Sequence, residues 1–196
     1  AKGDQAKSQV VGLSDGGYLV VWEGRSDNNS RDIYAARYNK NGVRINYNGR
    51  GVADESAGDL LLNNITNGNQ VTPQITALDN GGWVIVWSAQ NAKGVNNTSP
   101  AIISQAYDAE GRELGIPQQM ANTIQTGNQS QPSVAGLHGG GYVVTWRTSE
   151  GVDFGDTSSG AIIQQRFTAT GVKAGVETRV NSNTDGPQET PQVISL

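Results

Sequence analysis

The chain has 196 residues and a formal net charge of −4, with 26 glycines, no cysteine and 16% charged residues. It is poor in the residues that build long helices, which argues against an all-helical fold, and the absence of cysteine excludes disulfides and thiolate metal sites. The acidic balance disfavours nucleic acid as a partner, and no segment approaches the roughly 20 consecutive apolar residues of a membrane span.

A repeated unit governs the whole chain. Each copy opens with Gly-x-Gln, reaches a leucine, turns through Gly-Gly and ends an aromatic-led run at a tryptophan; a second apolar segment follows. The marker leucines are Leu13, Leu78, Leu137 and Leu196. We predict a single repeat domain over residues 1–196, with repeats at 3–67, 68–126 and 127–185 and an extra opening strand at 186–196.

In chain order, each repeat predicts two pairs of strands. The Gly-Gly turns supply the positive φ angles of tight hairpins. The aromatic-led runs YLVVW, WVIVW and YVVTW are apolar at nearly every position, which predicts strands covered on both faces. The runs IYAARY, IISQAY and IIQQRF begin the second pair, and the polar segment after each of them predicts a sheet edge.

Four antiparallel strands per repeat predict an all-β fold of three blade-like sheets, as in a β-propeller. Propeller rings contain roughly four to eight blades, so three fall short of one. We therefore expect either a homo-oligomer, in which a second copy completes the ring, or a segment of a longer array. A three-fold β-prism and a linear stack of small sheets stay open as alternatives.

The segments GNQSQPSVAGLHGGGYVVTW (127–146) and AIIQQRFTATG (161–171) carry a family resemblance. They resemble the tandem repeats of large secreted bacterial proteins of the RTX and adhesin type. The resemblance implies a secreted or cell-surface location, a calcium-rich setting and a role in attachment or scaffolding. It implies no catalytic residue.

Two polar loops that follow repeat tryptophans gather the oxygen ligands that calcium prefers. In residues 23–32, Asp27 and Asp32 are predicted to share a calcium ion, and in residues 149–160 the pair is Asp153 and Asp156. The alternative is that these residues serve turn geometry in exposed loops. The corresponding loop of the second repeat has no acidic residue, so a calcium site is not a fixed part of the repeat.

The connection at 44–64 is longer than its equivalents and holds Asp54, Glu55 and Asp59. Insertions in repeats map to loops on one face that often bind ligands, so these three acids are the predicted ligand-binding residues. The competing interpretation is an interface or capping loop. The recurring tryptophans Trp22, Trp87 and Trp146 favour packing between blades over stacking on a sugar.

These patterns predict an extracellular module that recognises a glycan or another cell-surface or matrix component and is stabilised by calcium. A structural scaffold without a ligand and a propeller-type glycoside hydrolase are the alternatives. No Ser-His-Asp arrangement can be built around the single histidine, His138, so we expect the chain not to be an enzyme.

Overall fold

A computed structural model of the chain describes residues 3–25, 30–45, 58–92, 99–156 and 160–195. Each repeat forms one antiparallel sheet, which confirms the all-β, blade-like prediction. Blade 1 contains β1 (Gln5–Gly12), β2 (Tyr18–Arg25), β3 (Arg31–Tyr38), β4 (Arg44–Ile45) and β5 (Leu60–Leu61). Blade 2 contains β6 (Gln70–Ala77), β7 (Trp83–Ala89), β8 (Ala101–Tyr107) and β9 (Glu113–Met120). Blade 3 contains β10 (Gln129–Gly136), β11 (Tyr142–Thr148), β12 (Ala161–Phe167) and β13 (Lys173–Arg179), with a 3-10 turn at Val152–Phe154.

Strands follow one another across each sheet in chain order. The aromatic-led strands β2, β7 and β11 are second in their sheets, and β7 is buried along its whole length. The opening strands β1, β6 and β10 contact one another from blade to blade. Blade 1 packs on blade 2 and blade 2 on blade 3, but the three sheets do not close a ring.

The Gly-Gly corners are required by a close approach of backbone. In blade 2 the amide of Leu78 donates to the carbonyl of Gly82 at 2.9 Å, which closes the hairpin. A Cβ on Gly82 would lie 2.3 Å from the carbonyl oxygen of Tyr107 on the neighbouring strand. The same clash, at 2.4 Å, would arise at Gly17 with Tyr38 and at Gly141 with Phe167. Only glycine fits at this position of the repeat.

Successive side chains of a strand point to opposite faces of its sheet, and in the second strand these faces form the joints between blades. In β7, Trp83, Ile85 and Trp87 belong to the core shared with blade 1. The intervening Val84 and Val86 belong to the core shared with blade 3. A strand that is apolar on both faces is therefore sandwiched between two sheets, as the sequence predicted.

The insertion in the first repeat divides the fourth strand of blade 1. Both short strands, β4 and β5, pair with β3. In blade 2 the single strand β9 covers the same stretch of its neighbour and has a bulge between Leu114 and Gln119. The insertion in blade 1 therefore lies at the position in the edge strand where blades 2 and 3 have a β-bulge.

Residues 186–195 belong to the predicted extra opening strand at 186–196, but within the described residues they pair with no strand and form no ladder. The segment 186–195 instead runs along blade 3. The amide of Thr190 donates to Oε1 of Gln131 at 2.8 Å, and the amide of Val193 donates to Oγ of Ser133 at 3.1 Å. Across the described ranges there is no helix long and apolar enough to cross a membrane.

Candidate functional site

One end of the blades carries most of the predicted site residues. We call it the loop end: it holds the loops from the second to the third strand of each blade and the segments that enter β1, β6 and β10. In blades 2 and 3 a hydrogen bond between two residues of the repeat signature fixes this end. Nε1 of Trp87 donates to Oε1 of Gln70 at 3.0 Å, and Nε1 of Trp146 donates to Oε1 of Gln129 at 2.9 Å. These tryptophans, each 1% exposed, are structural, as predicted.

A buried carboxylate holds the joint between blades 1 and 2 at this end. Glu23, 3% exposed, forms a salt bridge of 3.0 Å with Arg31 and accepts a 3.0 Å hydrogen bond from the amide of Thr72 in blade 2. Both carboxylate oxygens therefore have partners, which compensates the cost of burying the charge. The sequence did not single out Glu23.

Asp32, predicted to bind calcium, is completely buried. Its Oδ1 accepts a 2.7 Å hydrogen bond from Nδ2 of Asn63, whose own Oδ1 accepts the amide of Ile33 at 2.7 Å. Within the described residues, Oδ2 of Asp32 has no hydrogen-bond partner. A buried carboxylate oxygen without a donor is costly, and a bound cation is one of the few groups that satisfies it.

Asp156, also predicted to bind calcium, has the same kind of partner in blade 3. Its Oδ2 accepts a 3.1 Å hydrogen bond from Nδ2 of Asn181, whose Oδ1 accepts the amide of Ile162 at 2.9 Å. In blade 2, Asn122 accepts the amide of Ile102 at 2.8 Å. The sequence analysis missed these asparagines, although Asn63, Asn122 and Asn181 each stand five residues before the opening glycine that follows them.

Asp153 and Asp156, the pair predicted to share a calcium ion in blade 3, have different partners. Asp153 is exposed and accepts a hydrogen bond from Oγ1 of Thr126, so it does not share its partner with Asp156. Asp27, Asp54 and Glu55 lie outside the described residues. No group of three acidic or histidine side chains within the described ranges is arranged to hold a metal.

Asp59 belongs to an ion pair. It lies 3.0 Å from the guanidinium of Arg44, which ties the two ends of the insertion together. Burial raises the pKa of Asp59, but hydrogen bonds and nearby positive charges, those of Arg44 among them, lower it by more, so the net pKa lies below the ordinary value. An ionised acid that already has a cationic partner fits a structural clasp at the base of the loop.

Exposed carboxylates remain available at the loop end. Asp4 precedes β1, where its carbonyl accepts the amide of Arg25, and Glu150 and Asp153 follow β11. Exposed acids beside amide side chains are suited to hydrogen bonding with sugar hydroxyls. They are also the residue type that performs acid and nucleophile chemistry at a glycosidic bond.

No family model matches the chain, and no curated protein matches it in sequence. Its fold is similar to that of a thermostable family-43 glycoside hydrolase, with a TM-score of 0.52 and 13% identity over 90% of this chain. It is also similar to an α-L-arabinanase of Penicillium chrysogenum complexed with arabinobiose, with a TM-score of 0.55 and 15% identity over 96% of this chain. The chain spans about half of both structures, 54% of each.

The comparisons support a propeller-like arrangement of the blades. They also correct one expectation. From the sequence we expected no enzyme, but both structures that share this fold are glycoside hydrolases, so that expectation is wrong. The adhesin resemblance, the secreted or cell-surface location and the homo-oligomer stay predictions.

Proposed function

We propose that this chain is part of a carbohydrate-active propeller that binds a glycan at the loop end and takes part in glycoside hydrolysis. The observation that carries the proposal is the fold shared with an arabinanase over 96% of the chain. The loop end supports it, because that end presents carboxylates on a rigid scaffold of interlocked blades.

The exposed acids are the proposed substrate-contacting residues. Glycoside hydrolysis needs two carboxyl groups that reach the scissile bond. Glu23, Asp32 and Asp156 are buried and hold structural partners. Glu150 and Asp153 are exposed on the loop after β11 and are the pair we assign to this role.

The test is to incubate the protein with linear α-L-arabinan and with arabino-oligosaccharides, and to measure binding by calorimetry and cleavage by the release of reducing ends. We expect binding, and a loss of cleavage of about 100-fold or more in Glu150→Gln or Asp153→Asn. Glu110→Gln and Asp79→Asn are the matched controls, because these exposed acids lie in turns at the opposite end. Absence of both binding and cleavage for a panel of glycans would overturn the proposal.

We further propose that Asp32 binds a divalent cation, with calcium as the candidate. The supporting observation is Oδ2 of Asp32, which is buried and has no donor among the residues that the structure describes. Nδ2 of Asn63 donates both to Asp32 and to the carbonyl of Ile65. This carbonyl supplies a second oxygen of the type that calcium prefers.

Thermal unfolding with and without calcium tests this site. A ligand that binds only the folded protein raises its stability, by about 2.7 kcal/mol at one hundred times its dissociation constant. We expect calcium to raise the Tm of the unmodified chain and a chelator to lower it. Asp32→Asn should abolish both shifts, whereas Asp79→Asn should retain them. Equal Tm values in calcium and in chelator would contradict the site.

A further inference from the structure

Blade 1 leaves open a face that the other two blades bury. In blade 3, Val134, Tyr142, Val144, Trp146 and Phe167 form the core shared with blade 2. The same repeat positions in blade 1 are Val10, Tyr18, Val20, Trp22 and Tyr38, and they form what we call the open face.

Exposure separates these equivalent positions. Val10 is 66% exposed, against 9% for Val134. Trp22 is half-buried, whereas Trp146 is 1% exposed, and no hydrogen-bond partner of Nε1 of Trp22 lies in the described ranges. The stacked rings of Tyr18 and Tyr38, with centroids 4.9 Å apart, are half-buried, while the equivalent pair Tyr142 and Phe167 is buried. The open face therefore has the composition of a joint between blades without the second blade.

The segment 186–195 supplies the other half of such a joint. Gly186 and Thr190 have φ angles of 75° and 50°, which match the 72° and 51° of Gly3 and Lys7 in the opening strand of blade 1. Nε2 of Gln188 donates to the carbonyl of Gly186 at 2.7 Å, as Gln5 does to Gly3. The segment therefore has the backbone conformation of an opening strand, although it pairs with no strand within the described residues.

Its place on blade 3 is also that of an opening strand. At the first joint, Oε2 of Glu23 accepts the amide of Thr72, the bulge residue of β6. On blade 3, Arg147 occupies the position of Glu23 and lies 4.0 Å from the carboxylate of Glu189. The segment 186–195 is thus held against blade 3 in the way that β6 is held against blade 1.

We propose that two copies of this chain assemble head to tail, with the segment 186–195 of one copy replacing β1 on β2 of the other. Replacing one strand by another of the same pattern preserves the sheet hydrogen bonds, so the gain is burial of the open face against blade 3. Polar groups match across the new joint. Ser104 of blade 2 hydrogen-bonds the Tyr142 hydroxyl of blade 3 at 2.8 Å, and Gln164, at the position of Ser104, would face the Tyr18 hydroxyl.

Disulfide trapping tests the exchange, since the chain has no cysteine of its own. In β1, Val10 pairs with Val20 of β2, and Val193 has the repeat position of Val10. Directly opposed residues of antiparallel strands lie close enough for a disulfide. On mild oxidation, an equimolar mixture of the single variants Val20→Cys and Val193→Cys should give a covalent mixed dimer.

The matched control mixes Val20→Cys with Val176→Cys, because Val176 is an exposed valine on the outer strand of blade 3. We expect the Val193 mixture to yield severalfold more dimer than this control. Sedimentation equilibrium of the unmodified chain should show a mass that increases with concentration towards multiples of 20.7 kDa. Equal yields in the two mixtures, or a strictly monomeric unmodified chain, would overturn the proposal.

Discussion

The hydroxyls of Ser104 and Tyr142 hydrogen-bond at 2.8 Å across the joint between blades 2 and 3. Both side chains are buried, and the apolar residues around them belong to the core that the two blades share. Burial raises the pKa of Tyr142 to about 12, although the hydrogen bond from Ser104 opposes the increase. Because folding favours the protonated phenol, the stability of this joint should decrease at alkaline pH.

Alkaline unfolding should reveal this decrease. The unfolded chain loses the Tyr142 proton near pH 10, its ordinary pKa, but the folded chain retains it to about pH 12. Stability from this residue is therefore complete below pH 10 and falls by about 1.4 kcal/mol per pH unit between pH 10 and 12. Tyr142→Phe should remove that part of the slope in urea titrations. An unchanged slope in the variant would show that Tyr142 is not the titrating group.

The Gln–Trp hydrogen bond should stabilise blades 2 and 3 but not blade 1. Gln70→Ala leaves the buried indole N–H of Trp87 without an acceptor, which costs about 1–3 kcal/mol. Gln5→Ala is the matched control, because Gln5 bonds only the nearby carbonyl of Gly3 and its side chain is exposed. We expect its effect to be within about 0.5 kcal/mol. Free energies of unfolding in urea compare the two, and equal losses would refute the assigned role.

Gly82 and Gly139 should respond differently to alanine. A Cβ at Gly82 meets the carbonyl of Tyr107 at 2.3 Å, so Gly82→Ala must displace the second pair of strands in blade 2. At Gly139 there is open space, and only the positive φ of 82° disfavours alanine, at about 1 kcal/mol. We expect Gly82→Ala to cost more than about 3 kcal/mol. Thermal unfolding followed by circular dichroism gives the Tm of each variant. Equal stability of the two variants would contradict this account.

Acid should weaken a contact between the turns of blades 1 and 2. Arg37 lies 2.9 Å from Asp15 and also donates to the carbonyl of Ala109 at 3.1 Å. Burial alone would raise the pKa of Asp15. The Gly17 amide and Arg37 lower this pKa by a larger amount, so its net value is below the ordinary one. The stabilisation is present above the unfolded pKa and is lost as pH falls through the folded one.

Asp15 is half exposed, so solvent limits the worth of this contact to about 0.2–1 kcal/mol. Asp15→Asn should lower stability by that amount at pH 7 and leave it unchanged at a pH below the folded pKa. A loss of the same size at both pH values would show that the charge is not responsible.

The repeat made the blades predictable, whereas the polar contacts at the loop end were not. Periodic Gly-Gly turns and tryptophans determine hairpins and joints locally, and every copy confirms the others. Asp32 meets Asn63 across 31 positions of sequence, and Glu23 meets Thr72 across 49. The first pair depends on where the chain returns to blade 1 after the insertion and the second on how the blades stack, and no local pattern records either. The ion pair of Asp59 with Arg44 was not predictable either, because the two residues meet only at the base of the insertion.

The joints use the same apolar positions of the repeat, so the apolar faces of different blades correspond to one another. Leu19 and Val21 of blade 1 receive Trp83 and Trp87, as Val84 and Val86 of blade 2 receive Tyr142 and Trp146. Loss of residues 68–126 by recombination would place the aromatic side of blade 3 directly on Leu19 and Val21. The apolar contacts of a joint would be kept, but the Tyr142 hydroxyl would meet Ala35, which has the position of Ser104 in blade 1, and would lose its hydrogen bond.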